Sequence, residues 1–316
     1  MPPEPKHALI RTCALATGLT LNEVVKIAAI GPKRYKVYQI PKRSGGQRTI
    51  CHPSRELKAL QYVFLSQILR DLPVHEAATA YKAGSSIKQN AAAHATSRVI
   101  LKLDFENFFP SIKVTDWKAY AQIAFPNWSK EDIEFSSYVL FWGAGNYLPN
   151  CLSIGAPTSP LISNALLYRF DEFMSNYANQ NGLRYTRYAD DITISSKENL
   201  DKEGAVNAVK LALSELSSPA IRLNLAKTKL ASNSTSRRVT GLVLSNDGKV
   251  SLGRNRKRLI GAMVHHALTG KADPEAMSHL AGLLAFANDI EPTFVDALCR
   301  KHGRQAIEAL QLRKRD

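Results

Sequence analysis

The chain has 316 residues, 45% hydrophobic and 22% charged, with 42 Lys and Arg against 27 Asp and Glu for a net charge of +15. That length and balance exclude a disordered chain and suit one elaborate domain or a few subdomains, while the basic excess implies an anionic partner, nucleic acid first. No run approaches the roughly 18 apolar residues of a membrane span, and Met1-Pro2-Pro3-Glu4-Pro5-Lys6 lacks a secretory apolar core, so a cytoplasmic protein with no membrane contact is expected.

The four cysteines, Cys13, Cys51, Cys151 and Cys299, form no CxxC pair, and the eight histidines are scattered. Neither a zinc site nor a disulfide framework is expected.

Residues 7–30 read as helical, with Thr20 and Glu23 as a capping box and Gly31-Pro32 as a stop. Tyr35–Ile40 and Arg48–Ile50 flank Ser44-Gly45-Gly46 as a hairpin carrying Lys36, Lys42, Arg43 and Arg48. It is either a solvated charged hairpin or a grip on phosphate. Ser54 caps a helix whose buried stripe includes Leu57, Leu60 and Phe64. Asn90 and His94, four apart, share a helix face after the Tyr81–Ser86 loop; a local hydrogen bond or a functional pair both fit that spacing.

Val99–Leu103 is a short apolar strand ending in Asp104, followed by an aromatic turn at Phe105–Ile112. A helical stretch covers 116–142. Leu152–Pro160 then leads into a helix over 161–180, with Gly155 allowing close backbone approach to a ligand and Asn164 one turn into that helix. Leu183–Tyr188 and Ile192–Ser195 flank Ala189-Asp190-Asp191, which predicts a hairpin with two carboxylates at its tip. Such a pair alone is more readily a turn than a site. With Asp104 on a neighbouring strand, however, three carboxylates would make an oxygen-rich site for two Mg²⁺ ions in phosphoryl transfer.

Residues 202–217 read as a helix, 221–229 as an extended segment with Lys227 and Lys229, and Ser232–Ser236 as a polar linker. Arg237–Leu244 and Lys249–Leu252 flank Asn246-Asp247-Gly248 as a second hairpin. The basic run Arg254, Arg256, Lys257 and Arg258 then heads a helical tail. It suits a nucleic-acid backbone or a solvated surface.

In this order the sequence resembles a reverse transcriptase. Asp104 ends a strand similar to the family's first catalytic motif, Tyr188-Ala189-Asp190-Asp191 matches the YxDD box, and Gly155–Pro160 matches the loop-helix between them. Lys42–Arg48 with Pro53 and Leu57–Gln61 resembles the fingers motif. Asn90-Ala91-Ala92-Ala93-His94 matches the NAxxH signature of retron reverse transcriptases, and Val239-Thr240-Gly241 their VTG signature.

The resemblance implies an α+β right-hand polymerase fold. Residues 1–100 would form N-terminal helices and fingers, 101–236 the palm (antiparallel sheet plus helices, with part of the fingers at about 115–150), and 237–316 a small helical thumb. Asp104, Asp190 and Asp191 would be catalytic and, with the Phe105 carbonyl, would hold two Mg²⁺, with Mn²⁺ able to substitute. Lys42, Arg48, Phe109, Gly155 and Lys227 would bind the nucleotide: Arg48 and Lys42 at the triphosphate, Phe109 under the sugar, and Lys227 as proton donor to pyrophosphate. Ile154 replaces the Gln of many relatives, which removes a side-chain amide there.

Asn90, His94, Val239, Thr240, Gly241, Arg254, Arg256, Lys257 and Arg258 would contact RNA. The implied partners are dNTPs, a cognate structured non-coding RNA and its msDNA product, primed from a guanosine 2′-OH. A defence effector, such as an ATPase/nuclease pair, would act with them against phage. Competing expectations are another bacterial reverse transcriptase, of abortive-infection or diversity-generating type, or a catalytically idle RNA/effector scaffold.

Overall fold

Local chemistry sets the first elements. In the computed structural model, which describes residues 7–41, 45–82 and 84–311, helices Ala8–Thr17 and Leu21–Ala29 are separated by Gly18 at φ +73°. Thr20 and Glu23 close the expected capping box, with the Thr20 N–H donating to Glu23 at 2.8 Å. Strands β1 (Tyr35–Pro41) and β2 (Gln47–Pro53) pair antiparallel from Tyr35↔Pro53 to Pro41↔Gln47. Ser54 caps helix Arg55–Val63, which relaxes into a π-helical turn over Phe64–Ile68.

The central sheet is built from β3 (Val99–Asp104), β4 (Arg184–Tyr188), β5 (Asp191–Ser196) and β6 (Lys229–Ser232), in the order β4-β5-β3-β6. The strand ending in Asp104 therefore lies beside the strand that begins at Asp191, the arrangement a three-carboxylate site requires. β3 is buried at Ile100, Leu101 and Leu103, and β5 from Ile192 to Ser196. That burial fits the apolar run read in β3, whereas β5 alternates Ile192 and Ile194 with buried Thr193, Ser195 and Ser196.

Two expected helices are each broken in two. The 116–142 stretch is Val114–Ala124 and Lys130–Leu140, interrupted where Phe125 and Trp128 stack at 4.0 Å around Pro126, which cannot continue the helix. The 161–180 stretch is Ser159–Leu166 and Tyr168–Gln180. The segment expected to be extended at 221–229 instead contains a 3₁₀ turn, Leu225–Lys227.

The chain divides into two compact, interleaved units. One comprises the chain up to Gly84 with Lys102–Ile194 and Asp201–Lys229. Its core includes Leu57, Leu60, Phe64, Trp117, Phe141 and Phe170, all fully buried. The other comprises Ser85–Leu101, Ser195–Leu200 and the chain from Leu230. It contains the three-stranded sheet β7 (Arg238–Val239), β8 (Leu242–Leu244) and β9 (Val250–Ser251).

The expected single strand through 237–244 is thus itself a hairpin. Thr240 and Gly241, at φ +47° and +80°, form the two-residue turn between Val239 and Leu242. Positive φ at both central residues is the geometry that matches strand twist. Helices Arg254–Leu268, Pro274–Ile290, Pro292–His302 and Arg304–Gln311 follow, with Gly270 and Gly303 at positive φ ending two of them. Val239, Leu242, Ile260, Leu284 and Ile307 share one core with Ala91 and Ile100, each large apolar side chain contributing about 1.5–3 kcal/mol of burial.

Candidate active site

The β4–β5 hairpin turns on Ala189 and Asp190, with Ala189 at φ +55°, a left-handed conformation unusual without glycine. The tip is tied to the end of β3: the Phe105 N–H donates to the Asp190 carbonyl at 3.1 Å. On the other side of Asp104, the Asn224 N–H donates to its carbonyl at 2.8 Å, and the Glu106 N–H to the Arg222 carbonyl at 2.8 Å. Backbone hydrogen bonds from two directions therefore hold Asp104 next to the Asp190-Asp191 pair. The Asp104 side chain accepts from Lys227 Nζ at 2.7 Å.

These carboxylates sense one another. Burial pushes Asp190 above the ordinary carboxylate value, the Asp191 and Asp104 charges add to the shift, and Arg48 opposes it. Asp191 is also pushed up, by burial first and then by Asp104, against Lys102 and Lys227. Ionised acids destabilised in this way gain from a cation. The backbones are brought together, yet among the described residues no three His, Cys, Asp or Glu side chains converge to hold a metal ion as they stand.

The surrounding residues come from separated segments. Arg48, exposed on β2, lies close enough to influence both Asp190 and Tyr81. Lys42 lies outside the described residues. Gly155 has φ +124°, and a Cβ there would come within 3.0 Å of the Cys51 carbonyl. Its close approach is thus to β2, where the Cys51 N–H also donates to the Ile154 carbonyl at 2.8 Å. Phe109, half-buried in the short helix Phe108–Ser111, packs on Phe108 at 5.1 Å.

Sequence reasoning passed over four residues. Tyr81 holds φ +61°, is 60% exposed, and its ring lies 6.4 Å from that of Tyr188. Lys102 is the charge that most opposes the shift of Asp191. Arg187 and Asp171 are both fully buried and paired beneath the hairpin. An arginine within a strand otherwise rich in aromatic and β-branched residues was the available signal for that pair. Asn164, expected to orient something polar, accepts from Arg187.

The signature residues in the other unit are mostly inside it. Asn90 is 1% exposed, and His94 and Val239 are fully buried, so in this arrangement they present no surface to RNA. The His94 ring hydrogen-bonds the Ser195 hydroxyl at 2.7 Å, and Ser195 pairs with Ser97 at 2.8 Å. Thr240 donates to the Ile87 carbonyl at 3.0 Å, tying the VTG turn to the NAxxH helix, Ile87–Ala92. Gly241 is exposed at the turn. Of the basic run, Arg254 and Arg258 are exposed, whereas Lys257 pairs with Glu291 and Arg256 lies over the Phe286 ring at 5.2 Å.

Acids on adjacent strand ends beside a basic hairpin suit nucleotidyl transfer along a polyanion, and comparison with known proteins gives the class. A family described as "Reverse transcriptase (RNA-dependent DNA polymerase)" matches residues 40–244. The chain is 36% identical to the retron Ec83 reverse transcriptase of Escherichia coli over 286 residues, covering 88% of this chain and 89% of that one. It is 34% identical to the retron Ec73 enzyme of the same organism over 312 residues, covering 95% of each. The retron Mx162 enzyme of Myxococcus xanthus is 34% identical over 284 residues, covering 82% of this chain and 58% of that one.

The chain therefore belongs to the retron reverse transcriptases, RNA-directed DNA polymerases with an α+β fold of helices and antiparallel sheets. Reverse transcriptases generally use divalent metals such as Mg²⁺. Among the described residues, no single helix is long and apolar enough to cross a membrane.

Proposed function

We propose that this polymerase primes from a guanosine 2′-OH in its own structured non-coding RNA and copies part of that RNA into msDNA, at a site formed by Asp104, Asp190 and Asp191. The observation that supports the reading is the hydrogen bond from Phe105 to Asp190, because it ties the end of the strand carrying Asp104 to the turn carrying Asp190 and Asp191. The donor set of carboxylates and a Phe105 carbonyl is hard oxygen, which suits Mg²⁺. Two such ions, when bound, would activate the attacking hydroxyl and neutralise the leaving pyrophosphate.

The chain's own groups do the rest. Arg48, with Lys42, pairs with the triphosphate and orients it. Phe109 forms an apolar floor for deoxyribose that disfavours a 2′-hydroxyl. Lys227, which pairs with Asp104, carries a proton for pyrophosphate. Gly155 keeps the loop over β2 low, which leaves room for the nucleotide.

RNA is recognised by its phosphates through the exposed Arg254 and Arg258, while Asn90, His94, Val239, Thr240 and Gly241 shape the unit that displays them. The msDNA–protein complex acts in anti-phage defence with an effector protein in the cytoplasm. The test is to supply purified protein with RNA transcribed from its own locus, Mg²⁺ and dNTPs. A branched RNA–DNA product that vanishes in Asp190→Ala and Asp191→Ala is expected. Tight RNA binding with no extension would instead make the chain a scaffold.

A further inference from the structure

Arg187 precedes the Tyr188–Asp191 run and has no solvent exposure. A buried guanidinium is expensive to desolvate, and its bonds show what it is held for. Nε donates to Asp171 Oδ1 at 2.8 Å and Nη2 to Asp171 Oδ2 at 2.5 Å, a bidentate pair. The remaining arm, Nη1, donates to Asn164 Oδ1 at 3.1 Å and to the Ala189 carbonyl at 3.2 Å. Behind them, the Tyr185 hydroxyl donates to Asp171 Oδ1 at 2.6 Å, and Asn164 Nδ2 to the Ala80 carbonyl at 3.0 Å. Helices Ser159–Leu166 and Tyr168–Gln180 thereby meet at one side chain.

The bond to Ala189 distinguishes this network from a plain staple. Ala189 is the left-handed residue of the turn, at φ +55°, and alanine does not hold that conformation by preference. Its carbonyl immediately precedes Asp190. An apolar pair in place of Arg187 and Asp171 would spare the desolvation of two charges, but it would leave that carbonyl, like the Tyr185 hydroxyl and Asn164 Oδ1, without this partner.

We propose that Arg187 is a positioning residue: its Nη1 arm, anchored by Asp171 and Asn164, fixes the left-handed Ala189 turn and so sets the direction in which Asp190 and Asp191 present their carboxylates. The inference rests on those acids being the metal-binding groups. Because the carboxylates do not already converge as a cage, the accuracy of the turn decides how readily a cation gathers them. Loosening it weakens metal binding and slows turnover, with nucleotide and template affinity unchanged.

Two variants of the full chain test this: Arg187→Lys, which keeps a charge against Asp171 without the flat fork, and the double variant Arg187→Met/Asp171→Leu, which makes the site apolar. Each is assayed for thermal unfolding, for dTTP incorporation on poly(rA)·oligo(dT), and for Mn²⁺ binding by electron paramagnetic resonance. Wild type and Asp190→Ala serve as references. At wild-type-like melting temperature, kcat is expected to fall ten- to a hundredfold and the Mn²⁺ Kd to rise at least fivefold. KM for dTTP and template–primer affinity should stay within twofold. A folded double variant with wild-type kcat and Mn²⁺ affinity overturns the proposal. So does the unfolding of both variants, since the network would then serve packing alone. If wild type binds Mn²⁺ no better than Asp190→Ala, the metal assignment itself falls; if it does bind better and the Arg187 variants match it, only the positioning role falls.

Discussion

Replacing His94 with alanine separates two meanings of the NAxxH signature. The ring is fully buried and hydrogen-bonds Ser195 at 2.7 Å, and Ser195 in turn pairs with Ser97 at 2.8 Å. Alanine removes that bond, leaves the Ser195 hydroxyl one partner short, and opens a void the size of an imidazole. A lost buried hydrogen bond costs about 1–3 kcal/mol, and an uncollapsed cavity adds a similar amount, so about 2–6 kcal/mol is expected. For a chain of this size that lowers Tm by roughly 3–9 °C. Unfolding followed by circular dichroism, alongside RNA affinity measured well below the new Tm, distinguishes the cases. A bracing residue lowers Tm and leaves the affinity of the folded protein within a few-fold of wild type. An unchanged Tm with a large loss of RNA affinity would refute this and make His94 a reader of RNA.

Asp191→Asn should abolish extension yet raise the Tm of the metal-free protein at pH 7 by a few degrees. Asp190 and Asp191 titrate above the ordinary value, so the native state holds protons more tightly than the unfolded chain. The stability they contribute when protonated is lost as pH rises through their folded-state pKa. Added Mg²⁺ should then raise the Tm of wild type and not that of the variant; a lower metal-free Tm in the variant counts against this account. Lys227→Met removes a largely exposed ion pair, worth about 0–1 kcal/mol. Stability should barely move, while single-turnover extension slows by about 10²-fold or more if the ammonium supplies a proton; an unchanged rate would exclude that role. Arg254→Ala/Arg258→Ala should flatten the salt dependence of RNA binding by roughly 0.7 for each phosphate that no longer has a guanidinium partner. An unchanged slope would remove these residues from the interface.

What could be read from residues alone was whatever local chemistry decides. The Thr20–Glu23 capping box, the β1–β2 hairpin and the strand ending in Asp104 depend on neighbours within a few positions, and the structure has each of them. The Thr240-Gly241 turn was missed, because the apolar run around it suggests one continuous strand, which the positive φ of both residues divides. Burial of Asn90 and His94 was not legible, because the helix of Asn90 packs against β7–β9 and His94 bonds Ser195 of β5, all a hundred residues or more further along the chain. A polar motif without an apolar periodicity gives no sign that a distant core will enclose it. The same holds for Asp171, which in a helix face reads as solvated until Arg187 arrives from β4.

The acids of the proposed active site and the pair beneath them are opposite solutions to burying charge. Asp171 is compensated in full: Arg187 meets both of its oxygens, and Tyr185 donates to one of them. Asp190 and Asp191 are left with like charges nearby and only the partial relief of Arg48, Lys102 and Lys227. A fold able to build the first arrangement a few residues from the second is not short of cations to place. The residual repulsion at the hairpin tip favours a positive charge that enters it, which is the environment the proposed metal site requires.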